Sequence, residues 1–175
     1  MAVDAAGDVY VTGFYQDTAD FGGGPLLSAG GFEIFLAKYS GADGAYRWAR
    51  RFGSTGNDAG EGLAVDPSGD VVVTGYFRLN VPFGGGTLSS AGNTDIFVAK
   101  YAGADGANRW SRRFGAGGAD SGEAVAADAA GSVLLAGSFS GTVDFGGGAH
   151  TSASEDVVVL KLAGAFVFSA ATTLN

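Results

Sequence analysis

The feature that most constrains this chain is an internal repeat with an offset of 62 residues. The offset places Phe21 and the three glycines after it on residues 83–86 and again on residues 145–148. It also places Trp48 on Trp110, with no gap between the first two copies. Self-similarity at a fixed period indicates a protein built from one supersecondary unit used several times, so the chain is expected to be a repeat array.

The third copy is the most divergent. It loses one residue, so that Asp95 matches Asp156, and the similarity fades after Leu162. The C-terminal end of that copy, including residues 163–175, is therefore expected to be a degenerate fourth strand or a tail. We divide the chain, a single array over 1–175, into copies at about 2–63, 64–125 and 126–175.

Composition favours a folded chain that turns often. Glycine accounts for 32 of the 175 residues and shows no three-residue period, which excludes a collagen-like helix. Hydrophobic residues make up 46% and aromatic residues 12%, enough to form a core and too much for a disordered chain.

Charge and cysteine content exclude several classes of partner and chemistry. The formal net charge of −8 disfavours binding to nucleic acid or to anionic lipid. The absence of cysteine excludes disulfides, a thiol nucleophile and Cys-ligated zinc. Since no apolar run approaches the roughly 20 residues of a membrane helix, no membrane insertion is expected, and the N-terminus lacks the features of a signal peptide.

Each copy reads as four β-strands. In the second copy a short apolar run at 62–65 ends at the turn formers of 66–70, which predicts a tight hairpin into 71–77. Residues 95–101 are apolar on both faces, and an Asp-Gly turn leads back into 108–114. The fourth strand alternates, with Trp110, Arg112 and Phe114 on one side.

Three sequence motifs carry a resemblance to a known family. They stand at 3–13, 34–39 and 47–53, with an Ile-Phe-x-Ala-Lys-Tyr strand and an Arg-Trp strand ending in Phe-Gly, and they recur at 65–75, 96–101 and 109–115. The repeat resembles the bacterial β-propeller repeats abbreviated SBBP. The resemblance implies a propeller blade in a secreted or cell-surface bacterial protein, and it implies no particular reaction.

We therefore expect an all-β fold, a β-propeller-type array of about three four-stranded antiparallel blades that is not closed within one chain. Small residues in the first strand of each copy suit the propeller axis. Because propellers close with about four to eight blades, the chain is expected to be part of a longer propeller or to form a homo-oligomer that completes a ring. The connector at 79–92 is expected to fold over and insert its Phe83 between blades, or else to present a binding surface.

Four repeated acids are the candidate ligand-binding residues. They lie on glycine-rich segments between one copy's last strand and the next copy's first strand, and they are Asp58, Glu61, Asp120 and Glu123. Carboxylates in such a segment suit Ca²⁺ as a cofactor, although the spacing does not match an EF-hand. The alternatives are capping of turn amides, pairing with Arg50 and Arg112, or contact with a partner. No other metal site and no other cofactor is predicted.

Other polar and aromatic residues have mainly structural interpretations. Asp4, Asp66 and their neighbours are expected to cap tight turns. Trp48 and Trp110 suit packing between blades, with stacking on sugars as the alternative. The pairs Arg50-Arg51 and Arg112-Arg113 suit ion pairs across strands. His150, the only histidine, lies in the glycine- and serine-rich connector, and no catalytic residue is predicted.

The sequence thus predicts a non-enzymatic binding or scaffolding module that contacts an unidentified protein or carbohydrate ligand. One alternative is a carbohydrate-active hydrolase or lectin propeller. Another is a purely structural repeat fragment.

Overall fold

A computed structural model describes residues 1–163 in full and 167–174 as backbone. The described residues form β-strands joined by turns and contain no helix, as the sequence predicts. No segment among them is a helix long and apolar enough to cross a membrane.

The described residues form sixteen strands, grouped below by copy, although β7 and β13 begin a few residues before the copy boundaries at 64 and 126. The first copy contains β1 (Ala2–Val3), β2 (Val9–Tyr15), β3 (Thr18–Asp20), β4 (Pro25–Leu27), β5 (Glu33–Tyr39) and β6 (Tyr46–Phe52). The second contains β7 (Ala59–Val65), β8 (Val71–Phe77), β9 (Asn80–Pro82), β10 (Thr87–Ser89), β11 (Asp95–Tyr101) and β12 (Asn108–Phe114). The third contains β13 (Ser121–Ala127), β14 (Val133–Asp144), β15 (Ala149–Ala163) and β16 (Val167–Leu174).

Each copy builds one four-stranded antiparallel sheet in chain order. Sheet 1 has the order β1-β2-β5-β6, sheet 2 the order β7-β8-β11-β12, and sheet 3 the order β13-β14-β15-β16. The expected fourth strand of the third copy is thus present as backbone, since β16 pairs with β15. Residues 164–166 and 175, where part of that prediction fell, lie outside the described residues. The sheets do not close into a single continuous sheet.

Sheet 2 is covered on both faces. Val71 and Val73 of β8 lie in a core that also holds Tyr10, Leu36 and other residues of sheet 1. Val72, between them in the chain, points the other way into a second core shared with sheet 3. Because successive side chains of a strand point to opposite faces, a strand buried on both sides must be apolar at every position, as β8 largely is.

The connector between the second and third strands of each sheet is itself a β-hairpin. In the first two copies it consists of β3–β4 and β9–β10, each a separate two-stranded sheet. In the third copy the hairpin is continuous with the long strands β14 and β15. The sequence indicated a connector here but gave no sign of these short strands.

Phe83, which opens the turn of the β9–β10 hairpin, is fully buried between sheets. Its ring stacks on Phe52 of sheet 1 at 5.8 Å and on Phe97 of sheet 2 at 4.8 Å between centroids. Phe145 is buried in the same way and lies 6.1 Å from Phe114. The expectation that the connector's phenylalanine inserts between the sheets is confirmed.

Neighbouring sheets approach each other through their first strands, β7 and β13. A Cβ added at Gly62 of β7 would lie 3.0 Å from the Cα of Ala124 in β13. Both strands carry a β-bulge at the same place, where Glu61 and Glu123 are the extra residues of their ladders. The predicted first strand, which began at Gly62, is therefore too short, because the bulge lets pairing continue back to Ala59.

Candidate functional site

Asp58 lies just before β7 and is fully buried. One carboxylate oxygen accepts hydrogen bonds from the amide and the hydroxyl of Ser54, at 2.7 and 3.1 Å. The other accepts from the amide of Arg78, at 2.7 Å. The side chain thus ties the linker between sheets 1 and 2 to the end of β8.

Asp120 does the same one repeat later. It is 1% exposed, and its two oxygens accept from the amides of Ala116 at 3.1 Å and Ser140 at 2.9 Å. Among the interpretations of these two acids, capping of turn amides is confirmed. Their partners in these bonds are backbone amides and one hydroxyl, whereas Arg50 donates to the carbonyls of Ala49 and Asp105.

Burial raises the pKa of both Asp58 and Asp120. The hydrogen bonds from backbone amides oppose this effect by stabilising the charged form, and a neighbouring acid, Glu33 or Asp95, adds to it. A buried carboxylate that binds amides on both oxygens has little capacity left for a ligand. The amide bonds make both residues part of the framework.

Glu61 and Glu123 have different surroundings, although the sequence grouped them with the two aspartates. Both are exposed, and both stand at the bulges of neighbouring strands. Partial burial of its carboxyl and the nearby charge of Glu123 raise the pKa of Glu61. Glu123 also lines an open cleft of about 250 Å³ together with Asp120 and Glu155. These two glutamates are therefore the predicted ligand-binding residues that solvent can reach.

The aspartates of the first hairpin cap its turn in every copy, which confirms the sequence interpretation. Asp66, for example, accepts from the amides of Ser68 at 2.8 Å and Asp70 at 3.1 Å, and Gly69 follows with a φ of 81°. A positive φ of this size is the reason that a glycine stands there.

The same aspartates also bind a lysine that the sequence analysis overlooked. Lys38 lies 3.1 Å from Asp4 and 3.1 Å from Asp8, and Lys100 pairs with Asp66. The matching pair of the third copy joins Lys161 and Asp128 at 2.8 Å. The lysine recurs in each copy of the repeat, and this recurrence is the sequence signal that could have revealed it.

These ion pairs change the acidity of the aspartates. Burial alone would raise the pKa of Asp4, but the hydrogen bond and charge of Lys38 and the turn amides lower it below its usual value. The same combination lowers the pKa of Asp66. Lys161 and the turn amides lower the pKa of Asp128 to about 2. All three groups therefore favour the charged form in the folded protein.

A buried acid at the start of the third strand was also missed. Glu33 is fully buried, pairs with Arg51 at 3.1 Å and accepts from the amide of Ala29 at 2.7 Å. Asp95 is its counterpart and pairs with Arg113. The prediction of cross-strand ion pairs is thus confirmed for the second arginine of each pair.

The two tryptophans do not share one environment. Trp48 is 6% exposed, lies 5.9 Å from the ring of Tyr10 and donates from Nε1 to the carbonyl of Gly103 at 3.3 Å. Its predicted role in packing between sheets is confirmed. Trp110 is only partly buried and lines an open cleft of about 420 Å³ with Asp70 and Arg109.

His150 lies in a strand rather than in an open loop, because the third connector is continuous with β15. Its ring lies 6.0 Å from that of Phe145. The described residues contain no group of three or more His, Cys, Asp or Glu side chains placed to hold a metal ion. The prediction of Ca²⁺ therefore gains no geometric support from this part of the chain.

Comparison of the sequence with protein-family models and with curated proteins found no match. The resemblance to the SBBP repeats therefore stays a prediction.

Proposed function

We propose that sheets 1 to 3 are consecutive blades of a β-propeller and that the chain is a non-enzymatic binding or scaffolding module. The resemblance of the repeat supports this proposal, and on it alone we place the module in a secreted or surface-attached bacterial protein. The stacking of sheets 2 and 3 through β7 and β13, with larger side chains filling the space farther out, is the arrangement expected of neighbouring blades.

The observation that carries a non-enzymatic role is the use made of the repeated polar residues. Asp58 and Asp120 bind backbone amides, Asp66 binds a turn and a lysine, and Glu33 binds an arginine. In each copy these side chains join the strands and linkers to one another. The repeat thus builds a frame, and its exposed edges remain for contact with a partner.

Glu61 and Glu123 are the contact residues we propose for a protein ligand with basic side chains. They are exposed, equivalent and adjacent, so a cationic group bound there would relieve the repulsion between them. Removal of either charge would then weaken binding, and added salt would weaken it further.

The test screens the whole chain against a glycan array and against a panel of bacterial surface proteins. Any ligand found is titrated against the chain and against Glu123→Gln, with Asp17→Asn as the matched control. Asp17 is an exposed acid with a φ of 60°, a conformation that asparagine tolerates. We expect at least a 5-fold weaker affinity for Glu123→Gln and no change for Asp17→Asn.

The other outcomes would overturn the proposal. Hydrolysis of an arrayed glycan would make the chain an enzyme. A lack of binding in both screens would favour a purely structural repeat.

A glycan is the second ligand class that a specific observation favours. Trp110 borders the cleft of about 420 Å³ beside Arg109 and Asp70, a combination of ring, donor and acceptor that suits a sugar. Residues 164–166, which correspond to the turn that covers Trp48, lie outside the described residues. The variant Trp48→Phe leaves Trp110 as the only tryptophan, so its fluorescence would report a sugar bound in this cleft. No change at millimolar sugar would exclude the cleft as the site.

A further inference from the structure

One face of sheet 1 is partly exposed, although the equivalent face of sheet 2 is buried. We call this the leading face, and it consists of Val9, Val11, Phe21, Phe35 and Tyr39, all partly exposed. Their counterparts 62 residues later in sheet 2 are each at most 1% exposed, because they pack on sheet 1; they are Val71, Val73, Phe83, Phe97 and Tyr101.

Sheet 3 has the opposite open face, which we call the trailing face. Its exposed members include Val157 and Val159 of β15, which are 45% and 40% exposed. Their counterparts in sheet 2, Ile96 and Val98, are fully buried in the core shared with sheet 3. The trailing face is thus the kind of surface that packs on a leading face within this chain.

Polar contacts between sheets 1 and 2 support the same pairing of a trailing face with a leading face. Where sheet 1 meets sheet 2, the carbonyl of Gly103 accepts from Lys38 at 3.2 Å, from Trp48 and from Tyr10. Gly103 opens the turn 103–107, Gly-Ala-Asp-Gly-Ala, and residues 41–45 have the same sequence on the leading face of sheet 1. The two turns also share their backbone hydrogen bonds.

The lysine that makes this contact is progressively uncovered along the chain. Its side chain is 11% exposed at Lys38, 18% at Lys100 and 45% at Lys161. The carboxylate beside it is likewise more open at Asp128, 29% exposed, than at Asp4, 10%. Lys161 on the trailing face is therefore the most exposed of the three lysines.

We propose that two copies of this chain associate head to tail, with the trailing face of sheet 3 in one copy packed on the leading face of sheet 1 in the next. The occupant of each open face is a second copy, because the two faces repeat the two sides of an interface that the chain already forms. Lys161 of one copy then donates to the Gly41 carbonyl of the next. The inference rests on the proposed stacking of sheets as blades.

Such a contact joins two different surfaces, so each pair of copies keeps one leading and one trailing face open. Further copies add until the ring closes. Because each copy carries a net charge of −8, association is expected to strengthen with added salt.

The test measures mass by sedimentation velocity over a range of concentrations. The full chain is expected to reach two or more times 17.4 kDa. Val11→Lys on the leading face and Val159→Lys on the trailing face should each weaken association at least 10-fold. The control is Leu27→Lys, since Leu27 is 63% exposed while its counterpart Ser89 stays exposed beside the established interface.

Mixing the two variants distinguishes head-to-tail packing from a symmetric dimer. Val159→Lys keeps a leading face and Val11→Lys keeps a trailing face, so an equimolar mixture should form a dimer that grows no further. A symmetric dimer through either single face would give no such rescue. Circular dichroism checks that each variant folds, and Val9→Lys replaces Val11→Lys if the latter does not.

A chain that stays monomeric at all concentrations, or variants that leave association unchanged, would overturn the proposal. Failure of the stacking on which it rests is recognised separately. In that case Phe83→Ala, which empties the established interface, would leave the stability of the monomer unchanged. A monomer that Phe83→Ala destabilises keeps the stacking and loses only the contact between copies.

Discussion

The interface between sheets 1 and 2 is filled largely by aromatic rings, whereas that between sheets 2 and 3 is filled mainly by aliphatic side chains. Phe97 and Tyr101 in the first interface correspond to Val158 and Leu162 in the second. Tyr10 likewise corresponds to Val72. The phenylalanine of the connector is the element common to both. The repeated backbone therefore accommodates either aromatic or aliphatic side chains between sheets, provided that the phenylalanine of the connector inserts there.

The largest effect is expected from removing that ring. Phe83→Ala should lower the free energy of unfolding by about 3–5 kcal/mol, the usual range for emptying a buried phenylalanine site. Phe145→Ala should fall in the same range, because Phe145 is equally buried. Urea unfolding of both variants measures the difference. A loss below 1 kcal/mol at either position would show that the two interfaces do not depend on a common element.

A smaller effect is expected at the linkers that precede sheets 2 and 3. Asp58→Asn should cost about 1–3 kcal/mol, because an amide cannot accept on both sides and one buried donor loses its partner. Asp120→Asn should cost a similar amount.

The exposed acid beside the first linker provides the control. Glu61→Gln should stay within about 0.5 kcal/mol of the parent, as is usual for surface substitutions. Thermal unfolding of the three variants makes the measurement. Equal effects at Asp58 and Glu61 would contradict the separation of framework acids from exposed acids.

The smallest effect on stability is expected from lowering the pH. The pKa values of Asp4, Asp66 and Asp128 are lowered on folding, so the stability they contribute is present above about pH 4 and is lost as pH falls toward 2. Lys161→Met should reduce only the part of this loss of stability that comes from Asp128 in sheet 3. Asp58 has a raised pKa and acts in the opposite direction, because its charged form is the less favoured one in the fold.

Unfolding by denaturant at several pH values between 7 and 2 tests the sign. Stability that rises steadily as pH falls would show that the buried acids outweigh the acids paired with lysine.

Strand positions were readable from the sequence because they depend on local patterns. The bounds of β8, β11 and β12 agree with the prediction, since each follows a turn signal and alternates or stays apolar for seven residues. Capping by the hairpin aspartates was readable for the same reason. The order of strands within each sheet follows from short connections between neighbouring strands.

Contacts that depend on register across strands were not readable. Lys38 meets Asp4 only because β5 pairs beside β2, and Glu33 meets Arg51 only through the pairing of β5 with β6. The separation of Glu61 from Asp58 depends on a bulge, which has no signature distinct from the glycines around it. The fold therefore separates acids that the sequence placed in one group: Asp58 is buried and Glu61 is exposed.

The close approach at Gly62 bears on how far a row of such sheets would bend. At that edge a single added methyl group would meet the backbone of β13, while farther out larger side chains such as Phe145, Val158 and Leu160 fill the same gap between sheets 2 and 3. The gap between sheets 2 and 3 is therefore narrower at β7 and β13 than farther out, and a row of sheets spaced in this way would curve toward its glycine side. A side chain at position 62 would push the two first strands apart and flatten that curve.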